Sequence, residues 1–395
     1  MSHPPSADAE SVLVDFFYAQ PVGHAVEALH HAYAVHAADR TREVSVLLNA
    51  ATPTELGDCC PWLTAVHPVR APFLAPAPQA AASLASVPRQ WDWVLDDPRR
   101  HQPLQLDLFP GMRDHYSAAD VAFTARRGRR PLGAVPPSRS RHQPFRLELP
   151  APAVAAASDL ARTLTRPGAP LLALMPAGSS PASHYPSAAS WVTVLDGLAR
   201  ALPRARVLLV GRRTRDERTA TSFAEADLRR LLAHPVVAGD VLDAPLLEQL
   251  AAVQRCALFL APHTGFGMAA LAVGTPWLAL SGGRWFEWYF DHVPFRSVVP
   301  DTTRFPCYSQ FDADTPLADD DGDGPRIPSM TRARVQEDLP RLVHAARELL
   351  AGAVSYEQCL DDYAADLLAA HGGDASGLWS FDDVLAEHLP PPRTS

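Results

Sequence analysis

The sequence predicts an α/β fold made of two successive halves, each a parallel sheet covered by helices. Three observations carry this. An apolar run at residues 11–18 (SVLVDFFY) leads through a loop with Pro21 and Gly23 into a helix-like stretch from His24 to about Ala38, then into a second apolar run at 44–49. The same rhythm restarts at residues 170–175 and repeats as far as 277–280. Strand, Gly-containing turn, helix and strand at this spacing feed a parallel sheet. The third observation is size, since 395 residues suffice for two ordinary domains.

Taken in order, residues 63–67 and 91–95 supply further strands of the first half, the latter leading to Asp96 and Asp97. Between them, 72–88 is Ala/Pro-rich and reads as irregular, as does the basic stretch 126–130 with 136–141. In the second half the strand at 170–175 enters a turn through Pro176, Gly178, Ser179 and Ser180. A helix over 187–201, a strand over 205–210 ending at Gly211, a helix over 215–232 and a short strand at 236–237 follow. A helix over 245–254 leads to a strand at 257–261. The sequence His263-Thr264-Gly265-Phe266-Gly267 then opens a helix ending at Gly274, and 277–280 is the next strand. Helices over 332–352 and 355–370 close the chain and pack back, followed by a polar tail. The expected domains are 1–157, 158–352 and a terminal segment 353–395, the first two Rossmann-like and facing across a cleft.

Composition excludes several chemistries. Hydrophobic residues make up 47% and charged residues 20%, which excludes wholesale disorder. All 35 basic residues are arginine, so a lysine Schiff base or a Walker-type phosphate lysine is impossible. Against 44 acidic residues the net charge is −9, which argues against a nucleic-acid partner. No apolar run approaches the roughly 20 residues of a transmembrane helix, and the start lacks a cationic signal region. Five cysteines without C-x-x-C spacing read as reduced thiols, so a cytoplasmic location is expected. Asp319, Asp321, Asp323 and Gly324 open like a calcium loop, but position twelve is Met330 and Pro325 and Pro328 interrupt it; the segment is expected to be a solvated acidic linker.

The chemistry-bearing residues lie at turns after strands. Thr264, Gly265, Phe266 and Gly267 stand at a helix start, where glycine lets backbone N–H groups approach an anion and the helix end carries about half a positive charge. Arg212 and Arg213 follow Gly211 at a strand's carboxyl end and are candidates to chelate a diphosphate. His24 follows Gly23 after the first strand; imidazole accepts a proton at neutral pH, which makes it the candidate base. His30, His31 and His36 are expected to be surface or packing residues. His263 is placed to donate to a phosphate, and residues 282–289 (GGRWFEWY) to stack on a sugar or base. Asp96, Asp97, His115 and Tyr116 are weaker acceptor-side candidates.

The segment 257–280 resembles the ADP-heptose:lipopolysaccharide heptosyltransferases (glycosyltransferase family nine), whose typical run is D-T-G-x-x-H-x-A-A-A-x-G-x-P. Thr264, Gly265, Ala270, Ala272, Gly274 and Pro276 keep that pattern, while His263 replaces its Asp and Met268 its His. The resemblance extends upstream through Gly178, Ser179 and Ser180, Tyr185-Pro186 with Trp191, and residues 207–211 followed by Glu217. It implies the two-domain GT-B fold and a donor site in which the Gly178–Ser180 turn meets phosphates and Glu217 binds the ribose. The family's phosphate lysine is missing, Ser183 or His184 standing in its place. The implied activity is metal-independent, inverting transfer from a nucleotide-diphosphate sugar to a hydroxyl or amine of a small or lipid-linked acceptor, with no further cofactor. An Arg- and Ala-rich enzyme of this kind suits bacterial natural-product or cell-surface glycan biosynthesis.

Two other classes compete. Gly265-x-Gly267-x-x-Ala270 fits the dinucleotide motif of an NAD(P)-dependent oxidoreductase, but it lies in the second half and Leu280 is followed by Ser281-Gly282-Gly283, not by a ribose-binding acid. A catalytically silent GT-B-like partner protein accounts for the lost Asp, His and Lys. A nucleotide-sugar 2-epimerase shares the fold but finds no acid/base constellation here.

Overall fold

Strands β1 (Ser11–Phe16), β2 (Glu43–Asn49), β3 (Ala65–Val69) and β4 (Trp93–Asp96) form a parallel sheet in the order β3-β2-β1-β4. The computed structural model of the protein describes residues 9–17, 22–70, 79, 82–96, 144–214, 221–280, 292–298, 317–320, 322–370 and 372–373. Helix α1 (Val22–Ala38) connects β1 to β2. The chain steps outward from β1 to β3 and then returns to set β4 on the other side of β1, so the strand order reverses beside β1. Val12, Leu13 and Val14 are completely buried in succession, the pattern of a strand covered on both faces.

The second sheet has six parallel strands: β5 (Leu171–Leu174), β6 (Arg206–Leu209), β7 (Val237–Asp240), β8 (Leu258–Pro262), β9 (Trp277–Leu280) and β10 (Phe295–Val298). Their order is β10-β9-β8-β5-β6-β7. The chain moves outward from β5 to β7, then crosses back and lays β8 against β5. The reversal therefore falls between β5 and β8, where ligands of open α/β sheets bind at the strands' carboxyl ends. Around this sheet run α2 (Ala151–Leu164), α3 (Ala188–Ala201), α4 (Glu225–Leu232), α5 (Leu246–Gln254), α6 (Gly265–Ala272), α7 (Arg332–Ala351) and α8 (Tyr356–Ala370). Ser187 caps α3 by accepting the Ser190 N–H, and Trp191, Val194, Leu195 and Leu198 on one face of α3 are buried.

The expected α/β class and both parallel sheets are found. The described residues up to Glu148 form one unit, and those from Leu149 to Leu280 and from Val293 onward form the other. The break precedes the expected 157/158 because the stretch read as a junction is helix α2. Alanine is the strongest helix former, and the Pro of this segment lies in the first turn, where it is tolerated. Helix α8 belongs to the second unit, so the described part of 353–395 is not separate. Of the helix expected over 215–232, residues 215–220 lie outside the described residues and 221–224 precede α4, which begins at Glu225: the Ser222 N–H bonds the Gly178 carbonyl (3.1 Å) and the Phe223 N–H bonds the Thr221 hydroxyl (3.2 Å). Strand β10 was not expected, because its residues Phe-Arg-Ser-Val carry no continuous apolar run.

The acidic segment, expected to be a solvated linker, instead engages Asp320 and Asp323 in the fold. Asp320 is 3% exposed and accepts the Arg332 N–H at the start of α7 (2.5 Å). Asp323 receives the Ser187 hydroxyl (2.9 Å) and an Arg332 guanidinium N–H (2.8 Å). Arg326 donates to the carbonyls of Ala182 (3.0 Å) and Asp323 (3.1 Å), and the Ile327 N–H donates to Ser183 O (2.9 Å). These bonds form a strap over residues 182–187. The described cysteines Cys59, Cys60, Cys256 and Cys359 are free and buried. Burial pushes the Cys256 thiol up to about 12, which makes it a packing group and not a nucleophile. Among the described residues no helix is long and apolar enough to cross a membrane, and no cluster of His, Cys, Asp and Glu could hold a metal ion.

Candidate functional site

Two turns arrive at the reversal point of the six-stranded sheet. One leaves β5 through Pro176 and Gly178 to Ser180; the other leaves β8 and opens α6. Because β5 and β8 are hydrogen-bonded neighbours, their carboxyl ends deliver both turns to one place. A Cβ added to Gly178 would lie 3.0 Å from the Tyr185 hydroxyl and 3.4 Å from the Thr264 methyl, so a side chain there would push the turns apart. The Trp191 indole N–H holds the first turn by donating to the Pro176 carbonyl (2.9 Å). The Tyr185 hydroxyl accepts the Ser180 N–H (3.1 Å). Burial raises the phenol's pKa, opposed by hydrogen bonds from Ser180 and Gly178.

Thr264 is the N-cap of α6. Its extended backbone turns the hydroxyl onto the Gly267 N–H (3.3 Å), which the Thr264 carbonyl also accepts (3.0 Å). The amides of Gly265 and Phe266 are the first of the helix and lie outside its own ladder. Gly265 is half-buried while its neighbours on both sides are buried. Gly267 is glycine for a different reason from the one expected. A Cβ there would sit 2.3 Å from the ring of Trp277, which is wholly buried, so its missing side chain makes room for an indole and not for an anion.

Between the turns lies a recess lined by Ser180, His184, Tyr185, Pro262, His263, Leu280 and Met330. His263 is 3% exposed, and burial pushes its imidazole down to about 3. It is neutral at physiological pH and can offer a phosphate an N–H dipole but no charge. Burial also lowers His184. Unfolded, an imidazole takes its proton near 6.5; folded, His263 takes it only near 3. Between these values the unfolded chain holds the extra proton, so His263 makes stability rise with pH, fully present above about 6.5 and lost below it by at most about 1.4 kcal/mol per unit. Denaturant midpoints measured between pH 5 and 7 should show this slope flatten in His263→Gln.

The arginines after β6 meet carboxylates that follow the neighbouring strand, and neither lines the recess. Gly211, at φ +118 in a region that favours glycine, donates to Gln249 Oε1 (2.7 Å). Asp243 accepts the Arg213 N–H (3.0 Å) and lies 3.3 Å from Arg212 Nε. The Arg213 guanidinium donates to Asp240 at the end of β7 (2.8 Å), a bond that raises its pKa. Arg213 is thus neutralised one strand beyond the turn it was expected to serve. Asp240, Asp243 and Gln249 escaped the sequence reading because they are remote in the chain. Glu217, the aromatic stretch 282–289, and Asp97, His115 and Tyr116 lie outside the described residues.

In the first unit, His24 stands in the first turn of α1. Asn49, at the end of β2, donates to the Phe17 carbonyl (2.8 Å) and fixes the chain as it leaves β1. His24 and Glu27 are both buried, with Nδ1 3.2 Å from Oε2. Glu27 was missed, although its i,i+3 spacing from His24 was visible. His30 stacks on Phe145 and His36 on Trp62, so both are packing residues as expected.

The glycosyl transferase family 9 structure from Veillonella parvula DSM 2008 superposes with a TM-score of 0.56 over 87% of this chain and 98% of that one, at 13% identity. The fold is GT-B. The E. coli ADP-heptose lipopolysaccharide heptosyltransferase II matches with a TM-score of 0.51 over 85% and 99% of the two chains, also at 13% identity. No family model matches the sequence, and no curated protein is similar to it. The likeness to family nine is therefore one of fold.

Proposed function

We propose that the protein is a glycosyltransferase that moves a sugar from a nucleotide-diphosphate donor to a hydroxyl or amine. The observation that carries this reading is the junction of the Gly178 and Thr264 turns at the strand-order reversal, within a fold shared with family nine transferases. In this reading the second unit binds the donor's diphosphate through the Gly265 and Phe266 amides, the Ser179 and Ser180 hydroxyls and the neutral His263 ring. No formal charge lines the recess among the described residues, so oriented dipoles carry the task that family nine gives partly to lysine. The first unit supplies His24 as the base that takes the acceptor's proton while its oxygen or nitrogen attacks the anomeric carbon. The bond from that carbon to the phosphate oxygen breaks with inversion, and its electron pair leaves with the nucleoside diphosphate. The chemistry needs no metal, and its setting would be bacterial natural-product or surface-glycan synthesis on a small or lipid-linked acceptor.

Thermal-shift screening with UDP-, GDP-, ADP- and TDP-sugars, followed by NADH, tests this. Stabilisation by one nucleotide-sugar class supports the transferase. A response to NADH alone would make it an oxidoreductase. A silent partner protein, which the neutral His263 and the diverted Arg213 also suit, predicts no response at all.

A further inference from the structure

We propose that Glu27 is a positioning residue that fixes the tautomer of His24, an inference that rests on the base assigned above. The two residues stand three apart on α1, where i,i+3 side chains share a face of the helix. Their side chains meet at 3.2 Å between Nδ1 and Oε2. His24 is 7% and Glu27 4% exposed, so the pair sits where water competes little for either group. An ionised carboxylate only accepts hydrogen bonds, so this contact forms with the ring proton on Nδ1 and the lone pair on Nε2. A histidine in water favours the other tautomer, with its proton on Nε2, and in that form Nδ1 would face Glu27 lone pair to lone pair.

The consequence for transfer follows atom by atom. The Nε2 lone pair takes the proton from the acceptor's O–H or N–H as that atom bonds to the anomeric carbon. The imidazolium so formed carries its positive charge beside the Glu27 carboxylate, which stabilises it without itself taking the proton. The arrangement also clamps the ring at its Nδ1 edge, so Nε2 keeps one direction through the reaction.

The tautomer is measurable without any substrate. Two-bond proton–nitrogen correlation spectra of the full chain, labelled with 15N-histidine and assigned with His24→Gln, report which ring nitrogen carries the proton. At pH 7.5 the wild-type His24 should be the Nδ1–H form, and Glu27→Leu should shift it to the Nε2–H form. An Nε2–H ring in the wild type overturns the proposal on its own, whether or not the variant folds; an unchanged ring in folded Glu27→Leu overturns it as well. With a donor and acceptor in hand, Glu27→Leu should lower kcat about 10–100-fold with little change in KM. If the tautomer is as stated but His24→Ala transfers sugar normally, the base assignment fails and the His24–Glu27 bond stands.

Discussion

Replacing His24 with alanine is expected to slow sugar transfer by about 10²–10⁴-fold, the usual worth of a positioned general base. Nucleotide affinity should stay essentially unchanged, because the donor's phosphates are assigned to turns of the second unit. Isothermal titration with the nucleoside diphosphate and steady-state kinetics on the same preparations separate the two effects. A loss of both would mean that the substitution disturbs the fold: His24 is buried against Glu27 in the first turn of α1. Retained turnover would remove His24 as the base. Asp15, near the end of β1, is wholly buried, and its carboxylate accepts the Phe17 N–H within its own turn (3.3 Å).

The second large effect concerns stability. Asp320→Ala should destabilise the second unit by about 3–5 kcal/mol, the range for stripping one partner from a buried ion pair. Asp320 and Arg326 are 3% and 9% exposed, with Oδ2 3.8 Å from Nε. Removing the carboxylate leaves a buried guanidinium without its counter-charge. It also uncovers the Arg332 N–H at the start of α7, where a negative charge suits the helix dipole. Asp320→Asn also removes the counter-charge but keeps an acceptor for the Arg332 N–H, so it should recover only part of the loss. Because Arg326 and Ile327 hold the carbonyls of Ala182 and Ser183, the loosened strap should also weaken nucleotide binding at the recess. Urea midpoints for both variants check the first claim, and a loss below about 1 kcal/mol for the alanine would show that the strap stabilises little.

Much of the fold was legible because its signals are local. Continuous apolar runs marked nine of the ten described strands; glycine and proline marked the turns between them, and Thr264 announced its helix by the residue type that caps one. What failed had weak or misleading local signals. The Ala-rich α2 lies next to prolines, and its apolar stripe of Val154, Ala157, Leu160, Ala161 and Leu164 is short of large side chains and fully buries only Ala157, so its signal is weak. Residues 319–324 look like a water-loving run, yet the Asp320 and Asp323 carboxylates meet Arg326 and Arg332, the first of which also reaches back to Ala182. Arg212 and Arg213 sat at a plausible strand end, but the sequence could not show that Asp240 and Asp243 fold against them.

By itself the sequence determined that this chain has two parallel α/β halves, that no lysine takes part in its chemistry, and that a threonine-capped glycine turn follows a buried strand. Those are matters of composition and near-neighbour geometry, which the chain carries residue by residue. Only the tertiary structure decided which turns meet, that Gly267 yields space to Trp277, that His263 is neutral, and that His24 is bonded to Glu27. Burial and the pairing of remote charges set protonation and direction, and both are properties of what surrounds a residue, which spacing along the chain does not encode.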